Sequence, residues 1–416
     1  MVMSVDYYTA TRRCRLVNLA SQLETPTLVR IDINVPLKNG RIVENSLRLD
    51  VYAHVLELLS EYAGLVVLAH QGRPGEPELI PLKQHWIILR KLLPSEIDIE
   101  YIPVSEMLTK ETREKILKLD VRQIILMDNV RLLEDEYYFS SEAALYRFFK
   151  GVIKTCVNDA IPVWHRSHTS LMMLPYIGKT YVGIRSTYEL KAIWDINHSS
   201  ETCGIIIGGS KFEKADYMFR LLERMDAFTG GIPAQLVLLA KGYDIGVRNE
   251  EYVKTHLKPE QLQIAKEIVR RFDVKHPIDF IVLEDKVPKV VPSERLGDTN
   301  GLIVDIGPET VYLYADMLQE KEIRIRAGPL GMYELGFGNG LKLTKMIAGN
   351  GLIFVGGDTT QELVMYNMEE VISRTGGLVL ISGNAFLHGL SGFNYPSVDL
   401  IIKQAENSLP PIQSLS

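Results

Sequence analysis

Short runs of aliphatic and β-branched residues recur along the whole chain and are separated by segments with a helical period. The runs that predict buried strands are 27–33, 64–69, 123–127, 151–157, 204–207, 235–240, 278–283 and 351–355. A strand of a parallel sheet is covered on both faces, so nearly all of its side chains are apolar. The segments that predict helices with one apolar stripe are 48–62, 212–225, 259–272 and 340–348. This alternation predicts parallel sheets with crossover helices, which is an α/β fold.

The length and composition are those of a globular protein with two or three domains. The chain has 416 residues, of which 46% are hydrophobic and 24% are charged, and a domain averages roughly 150 residues. This balance excludes disorder and collagen, and the three scattered cysteines favour a reducing compartment over a disulfide scaffold. The formal net charge of −6 argues against a protein that coats nucleic acid, but it leaves room for a local basic pocket.

The sequence also carries an expectation about location. No apolar run reaches the roughly 20 residues that cross a bilayer, and Arg12 and Arg13 are not followed by the apolar core of a secretion signal. We therefore expect a cytoplasmic protein without a membrane partner. A monomer and a homodimer both remain open.

Glycine is distributed unevenly between the two halves of the chain. Of 31 glycines, 7 fall in the first 200 residues and 24 in the last 216, and every Gly-Gly pair lies in the second part. Motifs rich in arginine and histidine end near 183–191, where the glycine motifs begin. This segment is the best candidate for a domain boundary, and we interpret it as part of a hinge.

Basic side chains follow four of the predicted strands at the point where each strand ends. The groups are Arg30, Asp32, Asn34 and Arg48 after the first strand, His70 and Arg73 after the second, Asp128, Asn129 and Arg131 after the third, and Asn158, Asp159, His165, Arg166 and His168 after the fourth. Open parallel sheets gather ligand groups at the carboxyl ends of their strands, and guanidinium forks pair with phosphate and carboxylate oxygens. The sequence therefore predicts a crevice, made cationic by arginine and histidine, for a small anion.

Simpler interpretations exist for single members of this set. An arginine after a strand is usually solvated or paired with an acid, and Asp32 and Asn34 are ordinary turn residues. The prediction therefore depends on the agreement of four strands. His54 and His85 fall on helical stretches, and we interpret them as structural.

Two glycine pairs follow predicted strands in the second half. The segment 208–211 opens a helix, where backbone N–H groups and the helix dipole favour phosphate. The segment 356–359 adds the carboxylate of Asp358, which suits Mg²⁺ beside phosphate oxygens. Glycine pairs after strands are also common as tight turns, and the spacing in 208–211 is not that of a P-loop. The glycines of 336–340 have the wrong spacing for a nicotinamide site, so a dehydrogenase is only a weak rival interpretation.

In their order along the chain, these motifs resemble one family. The segments similar to the phosphoglycerate-binding segments of phosphoglycerate kinase are 30–36, 70–74, 128–131, 157–160 and 165–170. The segments similar to its nucleotide-binding segments are 208–211, 229–246, 305–308, 328–334 and 356–359. The segment 240–246 looks most like archaeal members.

The resemblance implies two Rossmann-like, three-layer domains with parallel sheets, joined by a hinge. The expected domains are 1–185, which would bind phosphoglycerate, and 186–392, which would bind nucleotide, with 393–416 returning to the first domain. The implied activity is reversible phosphoryl transfer between 1,3-bisphosphoglycerate and ADP, giving 3-phosphoglycerate and ATP, with Mg²⁺ as cofactor. The expected partners are these small molecules, without nucleic acid.

The resemblance also implies roles for individual residues. Those implied to bind phosphoglycerate are Asp32, Ile33, Asn34, Arg48, His70, Gln71, Gly72, Arg73, Arg131 and Arg166. Those implied to bind nucleotide are Gly208, Lys211, Glu334, Gly356, Gly357, Asp358, Thr359 and Gly383. Arg48 and Lys211 would be catalytic, Glu334 would contact the ribose, and Asp358 would hold the metal.

The second half departs from the family pattern at several positions. Ala215 stands where a second lysine is usual, Ala327 replaces an asparagine, and Val355 replaces a glycine. The loop that would cradle the transferring phosphoryl group corresponds to 380–385, with 375–377 as a competing placement. Because these changes remove donors on the nucleotide side, the alternative function is a related binding or regulatory protein with impaired turnover.

Overall fold

The computed structural model describes residues 5–210, 215–256 and 258–415, and the chain divides into two compact units. The N-terminal unit comprises Met1–Asn197 and Gly392–Ser416, and the C-terminal unit comprises His198–Ser391. The boundary expected at residue 185 falls inside a helix, Ile184–His198, and the division between the units follows at the end of that helix. The interpretation of 183–191 as a hinge stays a prediction.

Regular structure covers both units. The strands are β1 Thr27–Arg30, β2 Leu37–Lys38, β3 Arg41–Ile42, β4 Leu65–Leu68, β5 Asp98–Ile102, β6 Gln123–Met127, β7 Thr155–Asn158, β8 Lys179–Val182, β9 Cys203–Ile207, β10 Asp226–Thr229, β11 Asp279–Glu284, β12 Val287–Pro292, β13 Leu302–Ile306, β14 Ile323–Ala327, β15 Leu352–Val355 and β16 Leu378–Leu380. The helices are α1 Tyr7–Ala10, α2 Leu19–Gln22, α3 Leu47–Ser60, α4 Lys83–Leu92, α5 Lys110–Leu117, α6 Ala144–Phe149, α7 Thr169–Met172, α8 Leu174–Ile177, α9 Ile184–His198, α10 Ala215–Leu221, α11 Gly231–Ala240, α12 Val247–His256, α13 Pro259–Arg271, α14 Pro308–Gln319, α15 Asn339–Met346, α16 Gly357–Met365, α17 Glu369–Arg374, α18 Asn384–Leu390 and α19 Pro396–Ala405.

A six-stranded parallel sheet forms the centre of the N-terminal unit. Its strand order is β5-β6-β4-β1-β7-β8. The four strands predicted in this half are its central four, and every residue of β1, β4 and β7 is buried. Full burial of both faces is what the continuous apolar runs predicted, so the α/β fold is confirmed.

The core of the N-terminal unit forms between this sheet and the helices beside it. Leu28, Val66 and Ile125 of the sheet belong to one buried cluster with Phe149 and Leu174 of the helices. Burial of this apolar area is the main source of stability for such a layered unit.

The C-terminal segment belongs to the N-terminal unit and is anchored by aromatic and polar contacts. The Tyr7 hydroxyl donates to Asp399 of α19 at 2.7 Å and accepts from the backbone N–H of Tyr395 at 2.9 Å. The ring of Tyr395 is fully buried and lies 5.7 Å from the ring of Trp164, centroid to centroid. Trp164 in turn donates to Asn158 at the end of β7, so this segment supports the edge of the sheet where the strands end.

The C-terminal unit contains a parallel sheet and a smaller antiparallel sheet. The parallel sheet has the order β10-β9-β14-β15-β16, and the antiparallel sheet has the order β12-β11-β13. Two strand predictions need correction here. The run 235–240 is helical and lies in α11, and 278–283 corresponds to β11, which pairs in the antiparallel sense. Helix α11 is buried along most of its length, so its continuous apolar run resembles that of a buried strand.

Candidate functional site

The strands that carry the predicted basic motifs are neighbours in the N-terminal sheet. Strands β6, β4, β1 and β7 lie side by side and run in the same direction. Their carboxyl ends therefore share one edge of the sheet, which we call the basic edge. It is formed by the residues that follow these strands: 31–36, 69–74, 128–131 and 159–168.

Asp32 and Arg48 form a buried ion pair at the basic edge. Arg48 Nη1 lies 3.2 Å from Asp32 Oδ1 and donates to the carbonyl oxygen of Asn34 at 2.6 Å. Asp32 also accepts the backbone N–H of Asn34 at 2.9 Å, and the Asn34 side chain accepts the N–H of Gly72 at 2.9 Å. Arg48 comes from the first turn of α3, so the helix and two strand ends are joined here. The geometry brings these four predicted residues together.

Arg30 lies behind this pair and is bound on all sides by protein. Its Nε donates to the Ser170 hydroxyl at 2.9 Å, its Nη1 donates to the carbonyl of Ile31, and its Nη2 lies 3.1 Å from His70 Nδ1. Arg30 is fully buried. Its guanidinium group therefore orders the site and does not itself reach a ligand.

The side chains of Ile33 and Gln71 face the protein interior. Ile33 is fully buried. The Gln71 side chain accepts the N–H of Val35 and donates to its carbonyl oxygen, each at 2.9 Å, and His85 Nε2 lies 3.0 Å from Gln71 Oε1. Both positions were expected among the phosphoglycerate contacts, but their side chains are buried within the protein, so a binding role for either position stays a prediction.

Gly72 occupies a position that admits no other residue without a backbone shift. Its φ is +68°, and an added Cβ would lie 2.2 Å from the carbonyl carbon of Glu78. Its N–H is held by Asn34, and its carbonyl oxygen accepts a hydrogen bond from Arg131 Nη1. Glycine is therefore needed here both for the left-handed backbone and for the close approach.

The remaining predicted arginines differ in exposure. Arg131 is buried, and within the part of the chain that the structure describes its Nε has no hydrogen-bond partner. Arg166 is half-buried and close enough for its charge to act on Arg131. The Arg73 side chain is 42% exposed and 4.0 Å from Glu76. An incoming anion would meet Arg73 at the surface and Arg131 deeper in the edge.

Two histidines of the basic edge, His70 and His168, are neutral at neutral pH. Burial, together with the charges of Arg131 and Arg30, holds the pKa of His70 well below its ordinary value of 6.5. Burial and the same arginines lower the pKa of His168 to about 3. Burial also lowers the pKa of Arg131 to about 10, which leaves it charged at neutral pH. The positive charge that the sequence predicted for His70 and His168 is therefore absent, whereas that of Arg131 is present.

Two side chains organise this edge in a way that the sequence did not predict. Asn129 donates to the carbonyl oxygens of Gln71 and Ile80, and its Oδ1 accepts the backbone N–H groups of Gln71 and Arg131. Glu136 is fully buried and accepts both the N–H and the hydroxyl of Ser170. Asn129 lies inside the motif 128–131. The sequence gives no sign that Glu136 differs from the acids beside it.

Glycines follow every strand of the parallel sheet in the C-terminal unit. They are Gly208 and Gly209 after β9, Gly230 and Gly231 after β10, Gly328 after β14, Gly356 and Gly357 after β15, and Gly383 after β16. Because the strands are parallel, all of these segments meet at one edge, which we call the glycine edge.

The glycines of this edge lie against one another's backbone. Gly208 donates to the carbonyl of Ala327 at 2.9 Å, and Gly209 donates to that of Pro329 at 2.6 Å. An added Cβ on Gly208 would lie 2.3 Å from the Pro329 oxygen, and one on Gly231 would lie 2.8 Å from the Gly209 oxygen. Such close contact leaves no space for side chains, so glycine is needed at these positions for the loops to pack against one another.

The two placements of the phosphoryl-cradling loop lie at opposite ends of the sheet. The added Cβ position of Gly383 is 3.6 Å from the Gly356 Cα and 3.7 Å from the Gly357 nitrogen, beside the start of α16. That of Gly376 is 3.6 Å from Asn350, which precedes β15. The segment 382–384 therefore shares the glycine edge with Gly356, whereas 375–377 lies at the amino ends of the strands.

Four further residues were predicted to bind nucleotide, and the structure describes three of them. Lys211 lies outside the described residues. Asp358 and Thr359 stand in the first turn of α16, and only their backbone is described. Glu334 is exposed, in a short turn of 3-10 helix after β14.

The segment that carries Glu334 is fastened to a buried carboxylate. Asp305 Oδ1 lies 2.3 Å from where a Cβ on Gly331 would stand, and Asp305 Oδ2 accepts the N–H of Asn339 at 2.8 Å. Burial raises the pKa of Asp305 to about 7. Asp305 therefore bonds this segment at Asn339 and packs closely against Gly331.

The donors in the C-terminal unit suit a metal that arrives with a nucleotide. Among the described residues, no group of three or more histidine, cysteine, aspartate or glutamate side chains could hold a metal ion. Mg²⁺ commonly uses one or two carboxylates together with phosphate oxygens. Asp358 stands in the first turn of α16, and a carboxylate is the residue type that this chemistry uses.

Comparison with known proteins decides the family. The sequence profile of the family described as phosphoglycerate kinase matches residues 21–393. The chain belongs to the phosphoglycerate kinase family. Its match covers both the basic edge and the glycine edge, so the resemblance carried by the motifs is confirmed.

Relatives and solved structures agree with this membership. The phosphoglycerate kinase of Sulfolobus acidocaldarius is 28% identical over 393 residues, covering 89% of this chain and 92% of the relative. That of Pyrococcus abyssi is 30% identical over 374 residues, covering 85% and 90%. The crystal structure of phosphoglycerate kinase from Pyrococcus horikoshii superposes with a TM-score of 0.83 at 25% identity and covers 95% of this chain and all of that one.

Membership of the phosphoglycerate kinase family also bears on the rival interpretations. The family is one of phosphotransferases with a carboxyl acceptor, which sets aside the dehydrogenase.

None of the helices in the described ranges is long and apolar enough to cross a membrane.

Proposed function

We propose that this chain transfers a phosphoryl group reversibly between 1,3-bisphosphoglycerate and ADP, giving 3-phosphoglycerate and ATP. The observation that carries the proposal is the basic edge, where Arg48, Arg131, Asp32, Asn34 and a neutral His70 meet at the ends of four adjacent strands. Family membership supports the reaction class.

The basic edge suits a small acid with both a phosphate and a carboxylate. Arginines bind such oxygens through paired, charge-assisted hydrogen bonds. Arg131 has a buried Nε without a partner among the described residues, and a ligand oxygen would satisfy it. Arg73 and Arg166 would add charge at the rim, and Asp32 would keep Arg48 oriented.

The glycine edge suits the phosphates of a nucleotide. Gly357 and Gly383 would offer backbone amides, and the start of α16 would add its dipole. The N–H groups of Gly208 and Gly356 already donate to the carbonyl oxygens of Ala327 and Leu380, so these two glycines would line the nucleotide site without a side chain. Lys211 and Thr359 would contact phosphate oxygens, and Glu334 would contact the ribose. Asp358 would hold Mg²⁺, which lowers the negative charge on the phosphates when bound.

The chemistry requires positioning more than proton transfer. A carboxylate oxygen of 3-phosphoglycerate attacks the γ-phosphorus of ATP, and the bond from that phosphorus to the β–γ bridging oxygen breaks with its electron pair leaving on ADP. The carboxylate is already ionised at neutral pH, so no base is needed. Arg48 and Lys211 would stabilise the charge that spreads over the equatorial oxygens. A hinge near 183–191 would serve to bring the ligands into line and exclude water.

The departures in the C-terminal unit favour a second candidate, a family member that binds but turns over slowly. Ala327 ends β14 directly beside Gly208, and a methyl side chain there offers no donor to a phosphate. Val355 ends β15 fully inside the core. Both positions lie on the nucleotide side, so they would reduce turnover and leave phosphoglycerate binding unchanged.

A direct assay separates the two candidates. The purified chain is mixed with 1,3-bisphosphoglycerate and ADP, and ATP is followed with luciferase. We expect steady ATP formation that is lost in Arg48→Ala and kept in Arg13→Ala, an exposed arginine in a different part of the unit. If calorimetry shows 3-phosphoglycerate binding but no ATP forms, the slow binding protein is correct, and if neither occurs the proposal fails.

A further inference from the structure

A chain of buried hydrogen bonds runs behind the basic edge through four side chains. Glu136 Oε1 accepts the Ser170 hydroxyl at 2.7 Å, and Glu136 Oε2 accepts the Ser170 N–H at 2.9 Å. The Ser170 oxygen accepts Arg30 Nε at 2.9 Å, and Arg30 Nη2 lies 3.1 Å from His70 Nδ1. All four residues are buried. We call this set the Glu136 relay.

The direction of each bond in the Glu136 relay follows from what the groups can donate. A guanidinium group has donors only, so His70 Nδ1 must accept from Arg30. The Ser170 oxygen already accepts from Arg30, so its own proton points to Glu136. A neutral imidazole whose Nδ1 accepts must carry its proton on Nε2.

We propose that Glu136 is a positioning residue of the phosphoglycerate site, which acts through Ser170 and Arg30 to fix His70 with its proton on Nε2. This inference rests on the function proposed above. Among the described residues, none hydrogen-bonds to His70 Nε2. His70 therefore offers that N–H as a neutral donor to an anionic ligand oxygen.

Charge explains why a carboxylate is needed at the far end of the relay. Arg30 is fully buried, and Glu136 exerts the largest opposing charge on it, ahead of Asp32. A buried charge that loses its partner is strongly destabilised. The other groups that face Glu136 are Arg131, whose charge also acts on it, and His168, whose Nδ1 lies 3.7 Å away.

Removing the carboxylate would release the relay at its other end. A glutamine at 136 can accept only one of the two Ser170 donors, and its amide N–H would compete with Arg30 for the Ser170 oxygen. Arg30 would lose its fixed orientation, and the proton of His70 would distribute between Nδ1 and Nε2. The N–H facing the ligand would then be present in only part of the molecules.

The test measures the His70 tautomer directly in the ligand-free protein. Histidine ring nitrogens labelled with ¹⁵N are recorded by long-range ¹H–¹⁵N correlation, with His70→Gln used to assign the signals. Burial raises the pKa of Glu136 to about 7, so spectra are recorded at pH 8, where the carboxylate is ionised. We expect His70 protonated on Nε2 in the wild type.

Two variants break the relay at different points, and a third is the matched control. Glu136→Gln removes the charge, and Ser170→Ala keeps the carboxylate but removes the link. We expect both to show His70 protonated partly on Nδ1, with 3-phosphoglycerate affinity lowered about tenfold, the size usual for a lost hydrogen bond to a charged group. Nucleotide affinity should stay unchanged. Glu134→Gln, an exposed acid in the same turn, should match the wild type, and the His85 signals report whether the fold is kept.

The outcomes distinguish this inference from the proposed function. His70 protonated on Nδ1 in the wild type, or an unchanged tautomer and affinity in Ser170→Ala, would overturn the inference. If Glu136→Gln does not fold, Ser170→Ala decides alone. If the wild type binds no 3-phosphoglycerate, the proposed function is wrong, whereas the ligand-free tautomers still decide whether Glu136 holds His70.

Discussion

The arginines of the basic edge fall into two groups according to how the protein uses them. Arg30 donates from Nε, Nη1 and Nη2 to Ser170, Ile31 and His70. Arg131 donates from Nη1 to Gly72, and its buried Nε has no hydrogen-bond partner among the described residues. A buried donor without a partner costs roughly 1–3 kcal/mol, so a bound anion would relieve that cost at Arg131. Arg30 sets the geometry of the basic edge, and under the proposed function Arg131 would bind the ligand.

The proposal predicts a selective defect when Arg48 is shortened. In Arg48→Ala, 3-phosphoglycerate loses charge-assisted hydrogen bonds worth roughly 1.5–3 kcal/mol, so its affinity should fall at least about tenfold in calorimetry. Nucleotide affinity should not change, because the substitution lies outside the C-terminal unit. Arg13→Ala is the control, since that side chain is exposed. An Arg48→Ala protein that binds 3-phosphoglycerate normally would remove Arg48 from the site.

Gly72 and Gly75 allow a matched test of close approach against backbone conformation. Both have positive φ, +68° and +82°, but a Cβ on Gly72 would strike the Glu78 carbonyl at 2.2 Å, whereas one on Gly75 meets nothing within 4 Å. Gly75→Ala should cost only the left-handed conformation, roughly 1 kcal/mol, and keep ligand affinity. Gly72→Ala should cost more in urea unfolding and weaken 3-phosphoglycerate binding, because its N–H and carbonyl hold Asn34 and Arg131. Equal effects of the two substitutions would contradict this account of the loop.

At the scale of elements, the sequence predicted those strands whose burial is complete. The central strands β1, β4 and β7 are continuous apolar runs. Strand β5 at the sheet edge alternates, with Asp98 and Glu100 exposed, and β14 contains Arg324 and Arg326, so neither matches an apolar run. Helix α11 has the opposite problem, because a helix buried on most sides shows no period. An apolar run therefore indicates that an element is buried. It does not decide whether that element is a strand or a helix.

The candidate site was predictable to the extent that its residues follow strands. The positions after β1, β4, β6 and β7 converge because parallel strands end at one edge. Glu136 and Ser170 were not predictable, since their role arises from contacts between a 3-10 turn and α7. The neutral state of His70 depends on burial, which no local pattern encodes.

A buried ion pair ties β14 to α16 and predicts a marked difference between single and double substitution. Arg326 and Glu362 are 0% and 2% exposed and lie 2.6 Å apart. Glu362→Leu leaves a buried guanidinium unpaired and should cost about 3–5 kcal/mol of unfolding free energy, whereas Arg326→Met with Glu362→Leu should recover most of it. Urea unfolding followed by far-ultraviolet circular dichroism measures both.

The exposed pair Arg374 and Glu370 is the control for this comparison. Its side chains are 75% and 67% exposed, and removing both should change stability by less than about 1 kcal/mol. A double variant of the buried pair that is no more stable than Glu362→Leu would show that the guanidinium has other roles in the core.

The start of α16 carries the metal prediction. Asp358→Asn should raise the Mg²⁺ concentration needed for half-maximal ATP formation and leave 3-phosphoglycerate affinity unchanged, because only the nucleotide side loses a carboxylate. Asp316→Asn, an exposed acid on α14, should behave as the wild type. A wild-type magnesium dependence in Asp358→Asn would exclude the metal role of Asp358.

At the scale of the whole molecule, the difference in glycine content between the two halves fits the two kinds of ligand binding proposed above. The N-terminal unit presents side-chain groups at its basic edge, so its strands can end in bulky residues. The C-terminal unit presents backbone at its glycine edge, where carbonyl oxygens lie 2.3–2.8 Å from absent Cβ atoms. The departures from the family at Ala327 and Val355 fall at this edge, so the ATP-formation assay decides whether they lower turnover.

The tryptophans and a buried histidine allow the pH dependence of the unfolding free energy to be measured for the N-terminal unit. All three tryptophans, Trp86, Trp164 and Trp194, lie in the N-terminal unit, so tryptophan fluorescence follows the unfolding of that unit. Burial lowers the pKa of His85 to about 3, against roughly 6.5 when unfolded. Between these values the unfolded chain binds one more proton, so the stability contribution is present above about pH 6.5 and is lost as the pH falls toward 3.

This linkage predicts that His85→Gln flattens the acid dependence of stability. One proton corresponds to roughly 1.4 kcal/mol per pH unit, so between pH 6 and 4 the unfolding free energy of the wild type should fall faster than that of His85→Gln by about that slope. His54→Gln is the control, because His54 is exposed on α3 and its removal should leave the slope unchanged. Urea titrations at each pH, read by tryptophan fluorescence, give the three slopes. Parallel slopes for the wild type and His85→Gln would mean that His85 takes up its proton in the folded unit.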